Sequence, residues 1–186
     1  MLRPASLYKE EIEKQFKAIQ YTDKYLWYTG SIDNYDMEVK TEGDKFAFAI
    51  VFQEELIGYV SFRVDWYCSM AYNFSLIKFK DKVEDKEEFV YVHGYSIGEH
   101  PMIPTTKIMA SAIREVIRMV DSFTLHRIDF RCVSGNPAEV KYESLLKRID
   151  KQEKYDIRYV KFTDNIKDTH GNYHDTICYE LIRRNV

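Results

Sequence analysis

Leu125 to Ile149 reads LHRIDFRCVSGNPAEVKYESLLKRI. Ile128, Phe130 and Cys132 alternate with Arg127, Asp129 and Arg131, the period-2 pattern of a half-buried strand, so a strand is predicted over 125–132. Ser134-Gly135-Asn136 is a tight turn. Asn136 is a favoured helix N-cap, and Pro137 follows at the position where its missing N–H would be unpaired anyway. A helix is therefore predicted over 137–149. A buried strand running through a Gly-Asn turn into a helix marks a mixed α/β fold.

Outward from this unit, a helix is predicted over 105–123. Ile108, Ala112, Ile113, Val116, Met119 and Val120 share one face, and Arg114, Glu115 and Arg118 fall largely outside it. Before it come strands over 45–53, 56–65 and 70–80, with a fourth at 89–97. The run Lys80–Glu88, with both charge signs mixed, reads as a solvated loop, and 98–104 as a proline-containing loop. At the N-terminus a short strand over 1–7 precedes a helix over 10–28, which Ser6 is placed to cap, and 31–43 is an acidic loop. After the opening unit, strands over 155–162 and 176–182 flank a turn at Gly171-Asn172. Consecutive strands early, then alternating strands and helices, imply a mixed sheet with helices on its faces. The expected core is Phe48, Ile50, Val60, Phe62, Ile113, Val116, Ile128 and Phe130.

The 186 residues fit one domain spanning 1–186, without linker or internal repeat. With 45% apolar and 31% charged residues, the composition is that of a globular protein. A net charge of −3 with no basic stripe argues against nucleic acid as a partner. No run of 18 apolar residues and no apolar leader are present, so neither a membrane span nor a signal peptide is expected. Cys68, Cys132 and Cys178 are odd in number and far apart, which favours reduced thiols and a cytoplasmic protein.

Four segments in this order resemble the GNAT N-acetyltransferase superfamily. They are LRPA at Leu2–Ala5, ELIGYVSFRV at Glu55–Val64, the strand-Gly-Asn-helix unit at 125–149, and GNYHDTICYELI at Gly171–Ile182. The resemblance implies a GNAT-like central mixed, mostly antiparallel sheet with helices on both faces and two splayed parallel strands, and the crossover through the helix over 105–123 makes the strands over 89–97 and 125–132 that parallel pair. It also implies acetyl-CoA as cosubstrate and transfer of an acetyl group to the primary amine of a small molecule or protein.

In the superfamily a Gln/Arg-x-x-Gly-x-Gly/Ala loop and the following helix N-terminus hold the pyrophosphate. The matching stretch here, Pro104-Thr-Thr-Lys-Ile-Met109, has no glycine. The resemblance places cofactor contacts at Thr105, Thr106, Lys107, Ile108 and Met109, with Asn136 beside them. Thr105 and Asn136 read equally as helix caps. A leaving-group tyrosine of the superfamily falls here on Glu143, with Tyr142 about 100° away around the helix.

Bases that could deprotonate an incoming ammonium are His93, Glu99, Asp65 and His100, and Tyr72, Tyr91 and Tyr95 are placed to line a slot. His170 and His174 straddle a turn without a companion ligand, so no metal is expected. His126 and Cys132 lie about 20 Å apart along one strand and are no catalytic pair. Gly94–Gly98 is only loosely similar to a nucleophile elbow. Two readings stay open: an acetyltransferase, and a GNAT-fold binding or regulatory module that has lost acetyl-CoA. The loop at 104–109 separates them.

Overall fold

The computed structural model describes residues 1–20, 44–86, 91–92, 95–96, 101–135, 143–144, 146, 154–167 and 171–184. Strand β1 (Leu2–Pro4) leads through a 3-10 turn (Ala5–Tyr8) into helix α1 (Lys9–Gln20). Then come β2 (Asp44–Phe52), β3 (Glu55–Asp65), β4 (Met70–Lys78), β5 (Lys82–Glu84), β6 (Tyr91–Val92), β7 (Tyr95–Ser96) and β8 (Met102–Pro104). Helix α2 (Thr105–Ser122), β9 (Arg127–Val133), β10 (Tyr155–Lys167) and β11 (Tyr173–Arg183) complete the order.

Seven strands form one sheet in the order β1-β2-β3-β4-β9-β11-β10. Every pairing in it is antiparallel except β4 with β9. The mixed, mostly antiparallel sheet is the one expected. Its parallel member is β4 at 70–78, however, and not the segment at 89–97. Of that segment, the described residues form the two-residue strands β6 and β7, paired with each other. Met70–Lys78 is a nine-residue strand paired along β3, and its Ala71 and Ile77 are buried.

The charged run at 80–88 is not all loop. Lys82–Glu84 pairs with Met102–Pro104 because Val83, 1% exposed, turns into the core. Ser6 lies inside the 3-10 turn instead of capping α1. β10 and β11 each run past their expected ends. Of the helix expected at 137–149, Glu143, Ser144 and Leu146 are helical and the remainder lies outside the described residues, as does the end of the first helix beyond Gln20.

Two apolar layers sandwich the sheet. On one face Ile12 and Phe16 of α1 pack on Ala49, Leu56, Tyr59 and Ile77. On the other, Ile108, Met109, Ala112, Val116 and Val120 of α2 cover Ile50, Val60, Phe62, Ile128 and Phe130. These helix positions recur at three to four residues, so the buried stripe is that of an amphipathic helix. Six of the eight expected core residues are buried. Phe48 and Ile113 are only half-buried. Phe48 sits opposite Pro4 of the short edge strand β1, and Ile113 flanks the α2 stripe. Gly58 lets α2 approach, since a Cβ there would lie 2.8 Å from Met109 Sδ and 2.7 Å from the Ile77 carbonyl oxygen.

Candidate active site

The parallel seam between β4 and β9 is short. Met70 pairs with Arg127 and Ala71 with Ile128, after which β4 runs on to Lys78 and β9 to Val133 without further pairing. The cause lies in β4. Its register against β3 shifts between Ser61 and Arg63, and Asn73 takes φ of 55°. An extra residue in one strand bends it and increases its twist, and asparagine tolerates the left-handed conformation better than most. The bend falls two residues past the last parallel pair, so the strands fork there. Phe74 of β4 and Phe130 of β9 meet across the fork on the α2 face, 4.5 Å between ring centroids.

The closed end of the seam is tied down. The Ser69 carbonyl accepts the N–H groups of His126 (2.9 Å) and Arg127 (3.1 Å). Asp65 belongs to this end. Its carboxylate accepts the Cys68 N–H at 2.8 Å, which, with further bonds from the Cys68 thiol and the Tyr67 N–H, holds it below the usual carboxylate range. It therefore shapes the β3–β4 turn, far along the seam from the open end. Tyr72 stands just past the last parallel pair, opposite Arg63.

At the open end, α2 begins. Pro104 is its N-cap and has no N–H. Thr105 is fully buried; its N–H donates to the Asp81 carbonyl at 3.0 Å and its hydroxyl to the Lys80 carbonyl. A helix start leaves its first N–H groups without intrahelical partners. Here the first of them is satisfied by the chain itself, which leaves those of Thr106 and Lys107, both exposed side chains. Ile108 and Met109 point inward and are buried. Ion pairs of Lys78 with Asp81 and Lys80 with Glu55 flank the helix start. Gln53 fastens the β5 end by donating to Asp85 and accepting the Lys86 N–H.

Glu143 is helical and half-buried. Tyr142, His93, Glu99, His100 and Asn136 lie outside the described residues, as do the side chains of Tyr91 and Tyr95.

Sequence reasoning missed a polar cluster on the α1 face at the base of the fork. Arg127 binds Asp129 through two nitrogens (2.6 and 2.7 Å) and Glu180 through one (2.7 Å). Asp129, Cys178 and Glu180 bring three ligand atoms within 4.8 Å of one another, but the Arg127 guanidinium already ion-pairs with both carboxylates. Burial pushes the Cys178 thiol up, and the Asp129 carboxylate adds to this, so it is no ready metal-binding thiolate. The alternation of Arg127 and Asp129 was visible in the sequence. Their partner Glu180 arrives only through the β9–β11 register, which sets Asp129 opposite Glu180.

No protein-family profile and no curated protein sequence matches the chain. Solved structures do. A probable acetyltransferase of the GNAT family from Chromobacterium violaceum superposes with a TM-score of 0.57 at 9% identity, covering 98% of this chain and 85% of its own. A probable acetyltransferase from Staphylococcus epidermidis reaches 0.57 at 13%, covering 97% and 95%. A spermidine N-acetyltransferase from Vibrio cholerae reaches 0.55 at 14%, covering 98% and 94%. Another probable acetyltransferase is spanned over 62% of its length. The fold of this chain is that of the GNAT acetyltransferases, in a strongly divergent sequence.

Proposed function

We propose that this protein is an N-acetyltransferase that moves the acetyl group of acetyl-CoA to a primary amine. The observation that supports the reading is the fork: two parallel strands paired over two residues, bent apart at Asn73, with a helix N-terminus beside the opening. The thioester arm would lie in the fork, where strand amides released from pairing can polarise the carbonyl. The free amine nitrogen attacks the carbonyl carbon, the C–S bond breaks, and the thiolate leaves and takes a proton. The amine's own proton goes to a base, for which His93 and Glu99 are the candidates. Glu143, or Tyr142, would serve the thiolate.

The phosphates would face the N–H groups of Thr106 and Lys107 and the Lys107 ammonium, with Ile108 and Met109 anchoring the helix from inside and Asn136 nearby. Thr105 would act indirectly, by fixing the helix start. The acceptor would be a small-molecule or protein amine, and the setting cytoplasmic. Among the described residues no helix is long and apolar enough to cross a membrane.

The second reading, a GNAT-fold module without acetyl-CoA, draws on the same helix start. Its first donor is capped by Asp81, and residues 104–109 offer no glycine for close approach of a diphosphate. Calorimetry with acetyl-CoA and with CoA separates the two. Heat that is lost in Lys107→Glu supports the transferase. A folded protein silent at millimolar ligand is the module instead. Binding indifferent to Lys107→Glu keeps the transferase and removes this helix start from its site.

A further inference from the structure

The last strand of the sheet, β10, has one ladder edge on β11 and the other open among the described residues. An open edge is a template for another strand, and proteins normally blunt it with charges, bulges or a short length. β10 is long, Tyr155–Lys167, and its irregularity is confined to the stretch after Phe162, where Asp164 takes φ of 47°. The half from Tyr155 to Tyr159 is regular. It carries Tyr159, 59% exposed, and Arg158, exposed and without an ion partner among the described residues.

We propose that this half of β10 pairs antiparallel with the same strand of a second copy, about a two-fold axis through Ile157. Such an axis stands normal to the sheet, so each face continues into the same face of the partner and residues of like parity meet. That leaves few registers, and charge selects among them. An axis through Arg158 or Lys161 sets a cation on itself, and one through Val160 sets Asp156 against Asp164. An axis through Tyr159 leaves Asp156 and Arg158 facing Phe162 and Val160.

The axis through Ile157 alone opposes Asp156 and Arg158, and it does so twice, once in each direction; Arg158 would join Arg184, which donates to the Asp156 carboxylate at 2.8 Å within each copy. On the other face the exposed Tyr159 of one copy comes opposite Tyr155 of the other, whose ring is turned inward and buried. Opposite charges directly across an antiparallel ladder are favourable. The charges that usually protect an edge are here arranged to complement themselves. The seven-stranded sheet would continue into that of the partner, with both forks at a distance from the junction.

Sedimentation equilibrium on the full chain, from about 1 to about 500 μM, tests the register. The wild type should be a concentration-dependent dimer. Arg158→Asp faces Asp156 with a second carboxylate at both crossings and should raise the dissociation constant about tenfold or more. The double swap Asp156→Arg with Arg158→Asp exchanges the signs and should recover dimerisation. All three proteins are judged on samples with an unchanged circular dichroism spectrum. Asp156→Arg alone, which sets two arginines face to face, gives the same readout should Arg158→Asp fail to fold. A wild type that is monomeric throughout overturns the proposal. So does a dimer indifferent to Arg158→Asp, or a folded double swap that stays monomeric.

Discussion

The two ends of the β4–β9 seam are built on opposite terms. At the closed end nearly every polar group is spoken for. Ser69 binds two amides, Arg127 binds two carboxylates, and Arg183 gathers the C-terminus of α2 by donating to the Leu125 carbonyl (3.0 Å), the Asp121 carbonyl (3.0 Å) and the Asp121 carboxylate (2.8 Å). At the open end the strands have let go of each other, and a helix presents two amide donors and a lysine. The difference shows how a sheet can be rigid and still offer unpaired backbone: the constraint is concentrated a few residues from the opening. Substitutions at the closed end and beneath the sheet should cost stability, and substitutions at the open end should cost ligand.

The sharpest test is Phe130→Ala. Phe130 is 4% exposed and touches Phe74 across the fork. Its loss should lower stability by about 3–5 kcal/mol in denaturant titration; a change below about 1 kcal/mol would mean that the α2 face is not the core face. Next is Gly58→Ala, which forces a Cβ against the Ile77 carbonyl and Met109. A loss of about 1–3 kcal/mol is expected, because backbone must move to admit it. An unchanged melting temperature would show that α2 sits more loosely than drawn.

Tyr155→Phe comes third. It removes a 2.6 Å hydrogen bond to Asp121 and should cost about 1 kcal/mol. The same clamp has a pH signature. Burial by itself would raise the Asp121 carboxyl, but the bonds from Tyr155 and Lys154 outweigh it and hold the group below the usual carboxylate range. A carboxyl depressed in the folded state contributes stability that is fully present above the unfolded value and is lost as pH falls through the folded one. Acid unfolding should therefore lose part of its slope below about pH 4 in Asp121→Asn. An identical acid limb in the variant would deny the clamp this role. The smallest effect on stability belongs to Lys107→Glu. Its exposed side chain predicts a change within about 0.5 kcal/mol, while ligand binding falls strongly. A large loss of stability there would break the division between the two ends.

Much of the sheet was legible because its signals are local. The alternation of Ile128 with Arg127 and Asp129, and the apolar runs at 45–53 and 56–65, give strands whatever lies beside them. The parallel partner of β9 was not legible. Choosing between Met70–Lys78 and the segment at 89–97 depends on which strand bends away after two pairs, and nothing in either sequence states it. Strand β5 was hidden for a related reason. One apolar residue, Val83, among charges looks like a loop until its partner at Ile103 is known. Thr105 to Lys107 were singled out through the resemblance, and they open α2. That Asp81 satisfies the first amide is a contact between segments distant in sequence and leaves no mark on the sequence around it.

The irregularity at Asn73 has a genetic side. A bulge is one residue too many, so the register sums of β4 against β3 differ by one across it: Ser61 faces Ser75, and Val64 faces Ala71. Deleting Asn73 restores a single register through the whole ladder, and it returns Ser75 and Ile77 to the faces they already occupy. The loss of one codon is expected to zip β4 against β9 while leaving the apolar layers intact. A lineage could close this cleft, or open one like it in a regular sheet, in a single step without rebuilding its interior.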